Sequence, residues 1–146
     1  MKKRVFKYKF VYWIILLLNI TILISFLVGV DNRIETKDFD SILDVFSFTA
    51  ITLISILSLI SLVMLIIKNK NSTIVFSVVV LLILLLISVF LIYSIFVVKD
   101  FGENKADFYT APIPYLIIFG VLFLIHKYKS IEKFEYLEID EIGKQN

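Results

Sequence analysis

The chain contains no cysteine. Disulfides, thiolate metal sites and a cysteine nucleophile are therefore excluded, and the redox compartment is left undefined. Glycine and proline are scarce, at four and two of 146 residues. The glycine-rich phosphate loops, paired zinc-binding histidines and serine elbows that carry much enzyme chemistry have no counterpart in the sequence. Histidine occurs once, as His126 beside Lys127. A lone histidine in that setting reads as an interfacial anchor and not as a catalyst or ligand. Asp38, Asp40 and Asp44 invite a calcium reading, but their spacing does not fit an EF-hand loop and the required glycine is missing. They read as a solvated acidic loop.

What the chain has instead is apolar length. Sixty per cent of its residues are hydrophobic and 15% aromatic, with a mean hydropathy of +0.95. Residues 74–98, IVFSVVVLLILLLISVFLIYSIFVV, hold no charge, proline or glycine. At the helical rise this stretch is about 37 Å long, more than the hydrocarbon thickness of a bilayer. Lipid offers no hydrogen bonds to a backbone, so the segment must be helical despite its β-branched residues. Three further uncharged runs, 10–30, 45–67 and 108–125, complete the set. The length suits one membrane domain, and the expected fold is an all-α, integral membrane four-helix bundle with four spans.

The segments between the runs give boundaries. Residues 1–9 carry five bases and no acid. The run that follows is too long for a signal-peptide core and lacks a small-residue cleavage site, so an uncleaved first helix is expected. Tyr8, Tyr12 and Trp13 sit at its basic end, where amphipathic rings favour the headgroup layer. Residues 31–44 and 99–107 are acidic loops. Ser41 and Asp44 have the spacing of a helix N-cap and its N3 partner, which starts the second helix near Ile42. The basic turn 68–72 is short enough to make the second and third helices antiparallel neighbours. Pro112 and Pro114 suit a first helical turn, with Thr110 as its cap, or mark a kink if the helix begins earlier. A charged tail, 126–146, closes the chain, and Ile131, Phe134 and Leu137 mark a face on which the fourth helix continues.

Four spans put both ends on one side, and that side holds 11 of the 15 basic residues. The positive-inside rule then predicts N-in/C-in topology, with the tail cytoplasmic. The basic N-terminus could also attract anionic lipid, but topology already accounts for it. Ionisable residues are absent from all four spans, which argues against proton relays, ion-coupled carriers and voltage sensors. Each half is a helix, an acidic loop and a returning helix, but the halves are parallel, unlike the inverted repeats of many transporters.

Small and polar residues inside the spans are the remaining signal. Thr21, Ser25 and Gly29 recur every fourth residue on one face of the first helix. Ser47, Ala50, Ser58 and Ser61 fall within about 80° on the second. Such faces let helices approach closely, within the bundle or against a partner. Asn19 lies near the middle of the first span, where its amide needs an interhelical hydrogen bond, or else a substrate contact. Asn19-Ile20-Thr21 matches a glycosylation acceptor but is buried in the span, and Asn71-Ser72-Thr73 matches one on the cytoplasmic side.

The leading expectation is a non-enzymatic accessory or interaction protein that binds a membrane-embedded partner, or itself. A small transporter or channel subunit without an intramembrane proton relay is the runner-up, and a lipid-modifying enzyme is third. No cofactor, metal or nucleic-acid partner is expected; the lipid bilayer is. The Ile-, Leu-, Lys- and Asn-rich makeup points to an AT-rich microbial genome, and so to a plasma or inner membrane.

Overall fold

The computed structural model describes residues 5–37, 39, 41–99, 101–102 and 105–129. Four of its helices are long and apolar enough to cross a membrane. α1 is Lys9–Thr36, α2 is Ile42–Ile66, and α3 is Ser72–Tyr93. α3 ends in a π-helical turn, Ser94–Val98. A short α4, Lys105–Thr110, leads into α5, Pro112–Tyr128. Among the described residues the only β pairing is one isolated antiparallel bridge, Phe6 to Lys129.

Three boundaries differ from the sequence expectation, each for a physical reason. α1 runs on through Asp31, Arg33 and Glu35 to Thr36, where a polar loop was expected. Hydropathy marks where an apolar run stops, whereas a helix stops where its backbone hydrogen bonding stops. No glycine or proline interrupts residues 30–36, and the turn comes at Lys37, with φ 51°. α3 widens from α to π geometry over its last five residues instead of continuing unchanged to Val98. Thr110 is not the cap of the fourth span. It is the last residue of α4, and its hydroxyl donates to the Ala106 carbonyl at 3.1 Å. Pro112 and Pro114 have no N–H to continue the α4 ladder, so the helix restarts with Pro112 in its first turn.

The start of α2 follows the expected capping box. The Ser41 hydroxyl accepts from the Asp44 amide at 3.1 Å, and the Asp44 carboxylate accepts from the Ser41 amide at 3.2 Å. Asp44 also meets Arg33 of α1 at 3.1 Å, which ties the two helices together at this end. Residue 1–4 and tail residue 130–146 expectations, including the helical continuation, lie outside the described residues, as do Asp38 and Asp40.

α1 packs on α2, α2 on α3, and α5 on α3 and α1. Contacts between α1 and α2 run antiparallel in strict order. Tyr12 donates to the Leu65 carbonyl, Asn19 meets Ser58 and Ser61, Gly29 faces Ile51, and Arg33 pairs with Asp44. The hydrophobic core gathers at one end, called here the near end, with the N-terminal segment, the 67–71 turn and the end of α5. Its members include Ile15, Leu65, Phe76, Val80 and Ile125. Val5 and Phe6 precede α1 and fold into this core, at 5% and 3% exposure. Lys7 N–H donates to the Tyr128 carbonyl at 2.8 Å, so the N-terminal segment closes the near end and fastens α5 to it.

Lys37, Lys68 and Lys99 each follow a long helix with positive φ, at 51°, 54° and 61°. Side chains with a Cβ are strained there, and glycine is the usual occupant. A lysine compensates by placing its charge at the negative end of the helix dipole. Replacing Lys68 by either Gly or Ala removes the same charge, so comparing the two isolates the backbone term. We expect Lys68→Gly to exceed Lys68→Ala in stability by about 1 kcal/mol in a detergent melt. Equal melting would show that the left-handed turn is not kept.

Candidate polar seam between α1 and α2

α1 buries a single stripe, Val11, Ile15, Asn19 and Leu23, at four-residue spacing. α2 buries Ser47, Ile54, Ser55, Ser58, Ser61 and Leu65, and Ser58 and Ser61 hydrogen-bond to Asn19 of that stripe. Hydroxyls of this size leave little between the two backbones, which is why a serine-rich face can sit against a helix that closely. The arrangement places Asn19 of α1, fully buried, between Ser58 and Ser61, also fully buried.

The hydrogen bonds of this cluster close on themselves. With the amide turned so that each atom meets a complementary group, Asn19 Nδ2 donates to Ser58 Oγ at 2.6 Å. Its oxygen accepts from Ser61 Oγ at 3.0 Å and from the Leu62 amide at 3.1 Å. Ser58 Oγ in turn donates to the Asn19 main-chain carbonyl at 3.3 Å. The amide therefore has donors and acceptors on both sides, and its desolvation is matched.

The other serines of α2 are satisfied within their own helix. Ser47 Oγ donates to the Asp44 carbonyl at 2.9 Å, and Ser55 Oγ to the Ile51 carbonyl at 2.9 Å. One hydroxyl is different. Ser72 Oγ, at the start of α3, is buried without a hydrogen-bond partner among the described residues.

The residues singled out from sequence thus divide. Asn19, Ser58 and Ser61 are buried at the α1–α2 contact, and Ser47 is buried with its hydroxyl bonded within α2. Gly29 is half-buried, with a methyl of Ile51 3.5 Å from where its Cβ would be. Ala50 is half-buried and lines an open, apolar groove of about 190 Å³ between α2 and α3, with Leu53, Leu82 and Leu85. Thr21 and Ser25 do not pack within the bundle, contrary to one of the two roles expected of them. Both are exposed. Four-residue spacing placed them on one face with Gly29, but the buried stripe is the one through Asn19, and Thr21 lies about 160° from Asn19 at 100° per residue. Thr21 Oγ1 donates to the Leu17 carbonyl at 3.0 Å, which satisfies the hydroxyl without a second helix.

Two contacts had no sequence signal. Ser88 Oγ and Tyr115 Oη lie 3.1 Å apart and join α3 to α5. Tyr8 and Tyr128 rings meet edge to face with centroids 5.5 Å apart, joining the two ends of the chain's described part. His126 Nδ1 lies 2.9 Å from the Leu122 carbonyl of its own helix. Among the described residues no group of three or more His, Cys, Asp or Glu is placed to hold a metal ion.

No known family, curated protein or solved structure matches this chain. What the seam can do rests on its own chemistry, and that chemistry is cohesive. Its polar atoms face one another across two helices, at a depth where the neighbouring side chains are apolar.

Exposure sharpens the expected effect of enlarging these serines. Ser58→Leu should destabilise the protein by about 1–3 kcal/mol through overpacking, while Ser25→Leu should leave its melting unchanged. A double-mutant cycle of Asn19→Ala with Ser58→Ala should give a coupling of about 0.6 kcal/mol. Additive effects would mean that the two residues do not act as a pair.

Proposed function

We propose that the chain is a multi-pass protein of the cell membrane with both termini in the cytoplasm, and that its role is non-enzymatic. In this reading it is an accessory protein that seats a helix of another membrane protein against α1. One observation carries the proposal. Leu17, Thr21, Ile24, Ser25 and Val28 share one face of α1, and all five are exposed. They combine apolar contact with two small polar side chains. In lipid, where apolar surface alone does not drive helices together, such faces favour close helix–helix contact. The buried polar groups of the seam bond to one another, which supports a structural role for them over a solute pathway. Charge asymmetry supports the orientation: among the described residues Lys7, Lys9, Lys68, Lys70, Lys127 and Lys129 lie at the near end, against Arg33, Lys37 and Lys99 at the other.

The absence of native cysteine makes the orientation simple to test. A cysteine at Glu35 should react with an impermeant thiol reagent on intact cells. A cysteine at Asn69 should react only after the membrane is opened, and labelling from outside would reverse the topology.

The docking face has its own test. A photo-crosslinking residue at Ser25 should yield one dominant adduct in membranes, and the same residue at Leu59, exposed on α2, should not. With the probe kept at Ser25, Thr21→Phe together with Val28→Phe, both exposed on the same face, should abolish the adduct and leave the melting temperature intact. An adduct that is a second copy of the chain would recast the accessory protein as a homo-oligomer. Solute flux from purified protein in liposomes, unaffected by the double substitution, would favour the small transporter or channel subunit.

A further inference from the structure

The near end of the bundle carries a cluster that topology alone does not require. Phe6 pairs with Lys129 in the antiparallel bridge, so the segment before α1 and the end of α5 lie side by side. Both are basic. Lys7 Nζ lies 5.6 Å from the centre of the Tyr8 ring. That ring meets Tyr128 edge to face, at 5.5 Å. Lys127 Nζ lies 5.5 Å from the Tyr128 ring and 4.9 Å from that of Phe123. Two ammonium groups from opposite ends of the described chain are thus held on one continuous aromatic platform. Arg33 and Asp44 form an ion pair at the opposite end of the bundle, and among the described residues no carboxylate pairs with Lys7 or Lys127.

Ring faces offset each ammonium charge only in part, so this end of the bundle keeps a positive potential that attracts an anion. Four apolar helices end at this level, which is where lipid headgroups lie if the chain spans a bilayer. The exposed rings of Tyr8 and Phe123, beside the half-buried Tyr128, suit the glycerol and upper acyl region, and the ammonium groups suit a phosphate.

We propose that Lys7 and Lys127, on the Tyr8–Tyr128 platform, bind the phosphate of an anionic phospholipid, and that this lipid clamps the N-terminal segment to the end of α5. The proposal rests on the membrane placement given above. Its energetic consequence is specific: the clamp stabilises the contact between the first and last described segments, so folding stability depends on lipid charge.

The test uses the full chain in nanodiscs of phosphatidylcholine alone, or of phosphatidylcholine with phosphatidylglycerol. Insertion is first established by co-migration with the discs. Unfolding is then followed by the fluorescence of Trp13, the chain's one tryptophan, which lies near this end. The melting temperature should rise by roughly 5 °C with phosphatidylglycerol. Lys7→Gln with Lys127→Gln should abolish the rise, and the Lys→Arg pair should retain it. Lys37→Gln with Lys99→Gln, which removes equal charge at the other end, should leave it in place. Equal melting of the inserted protein in both lipids would overturn the clamp and leave the membrane reading intact. So would a rise that survives the Lys7–Lys127 glutamine pair, or one lost equally in the Lys37–Lys99 pair. Failure to enter either disc would overturn both readings.

Discussion

The fold depends on one contact, the insertion of Asn19 between Ser58 and Ser61. In water, burying apolar surface would bring α1 and α2 together. Between helices already surrounded by hydrocarbon that force vanishes, and close packing and polar pairing must replace it. The seam supplies both. Serine keeps the helices close, and closeness lets the Ser58 hydroxyl reach the main chain of α1 as well as the side chain of Asn19. The antiparallel register that runs from Tyr12–Leu65 at the near end to Arg33–Asp44 at the other has this cluster about a third of the way along.

The remaining helices are attached differently. α3 follows α2 through a tight turn and adds Phe76, Val79 and Val80, so its hold is steric. α5 buries only Ile118 and Ile125 among its residues, and it depends on ties at its flanks. The Ser88–Tyr115 contact is one, and the bridge from Phe6 to Lys129 is the other. A helix held mainly by its end makes the near end the natural place for stability to respond to surroundings, and the basic, aromatic composition there fits a phosphate-bearing surface.

The same division separates cohesion from exposure. Among the described residues the buried polar side chains are hydrogen-bonded, across the seam at Asn19, Ser58 and Ser61 and within their own helix at Ser47 and Ser55, apart from the hydroxyl of Ser72. Polar atoms on the outer face of α1 are matched within the helix, as Thr21 shows. A small residue on a membrane helix therefore carries no single meaning. Its role follows from the direction in which the buried stripe runs, and on α1 that direction is set by Asn19.

The sequence by itself determined the all-helical class, the four long apolar segments, the capping box at Ser41 and Asp44, and the need of Asn19 for a partner. Each is a local matter: apolar length forces backbone hydrogen bonds inward, cap chemistry needs residues three apart, and a buried amide needs a bond whatever supplies it. Helix ends were less legible, because α1 outlasts its apolar run and two prolines split the last segment at Ala111. Only the tertiary structure decided which small residues are inside. Thr21 and Ser58 are equally plausible on a helical wheel, and one faces outward while the other is fully buried. It alone placed Val5 and Phe6 in the core and brought Tyr8 against Tyr128, more than a hundred residues away in sequence. Those are contacts between distant parts of the chain, set by how helices rotate about their axes to satisfy all their neighbours at once, and periodicity within one segment holds no record of that rotation.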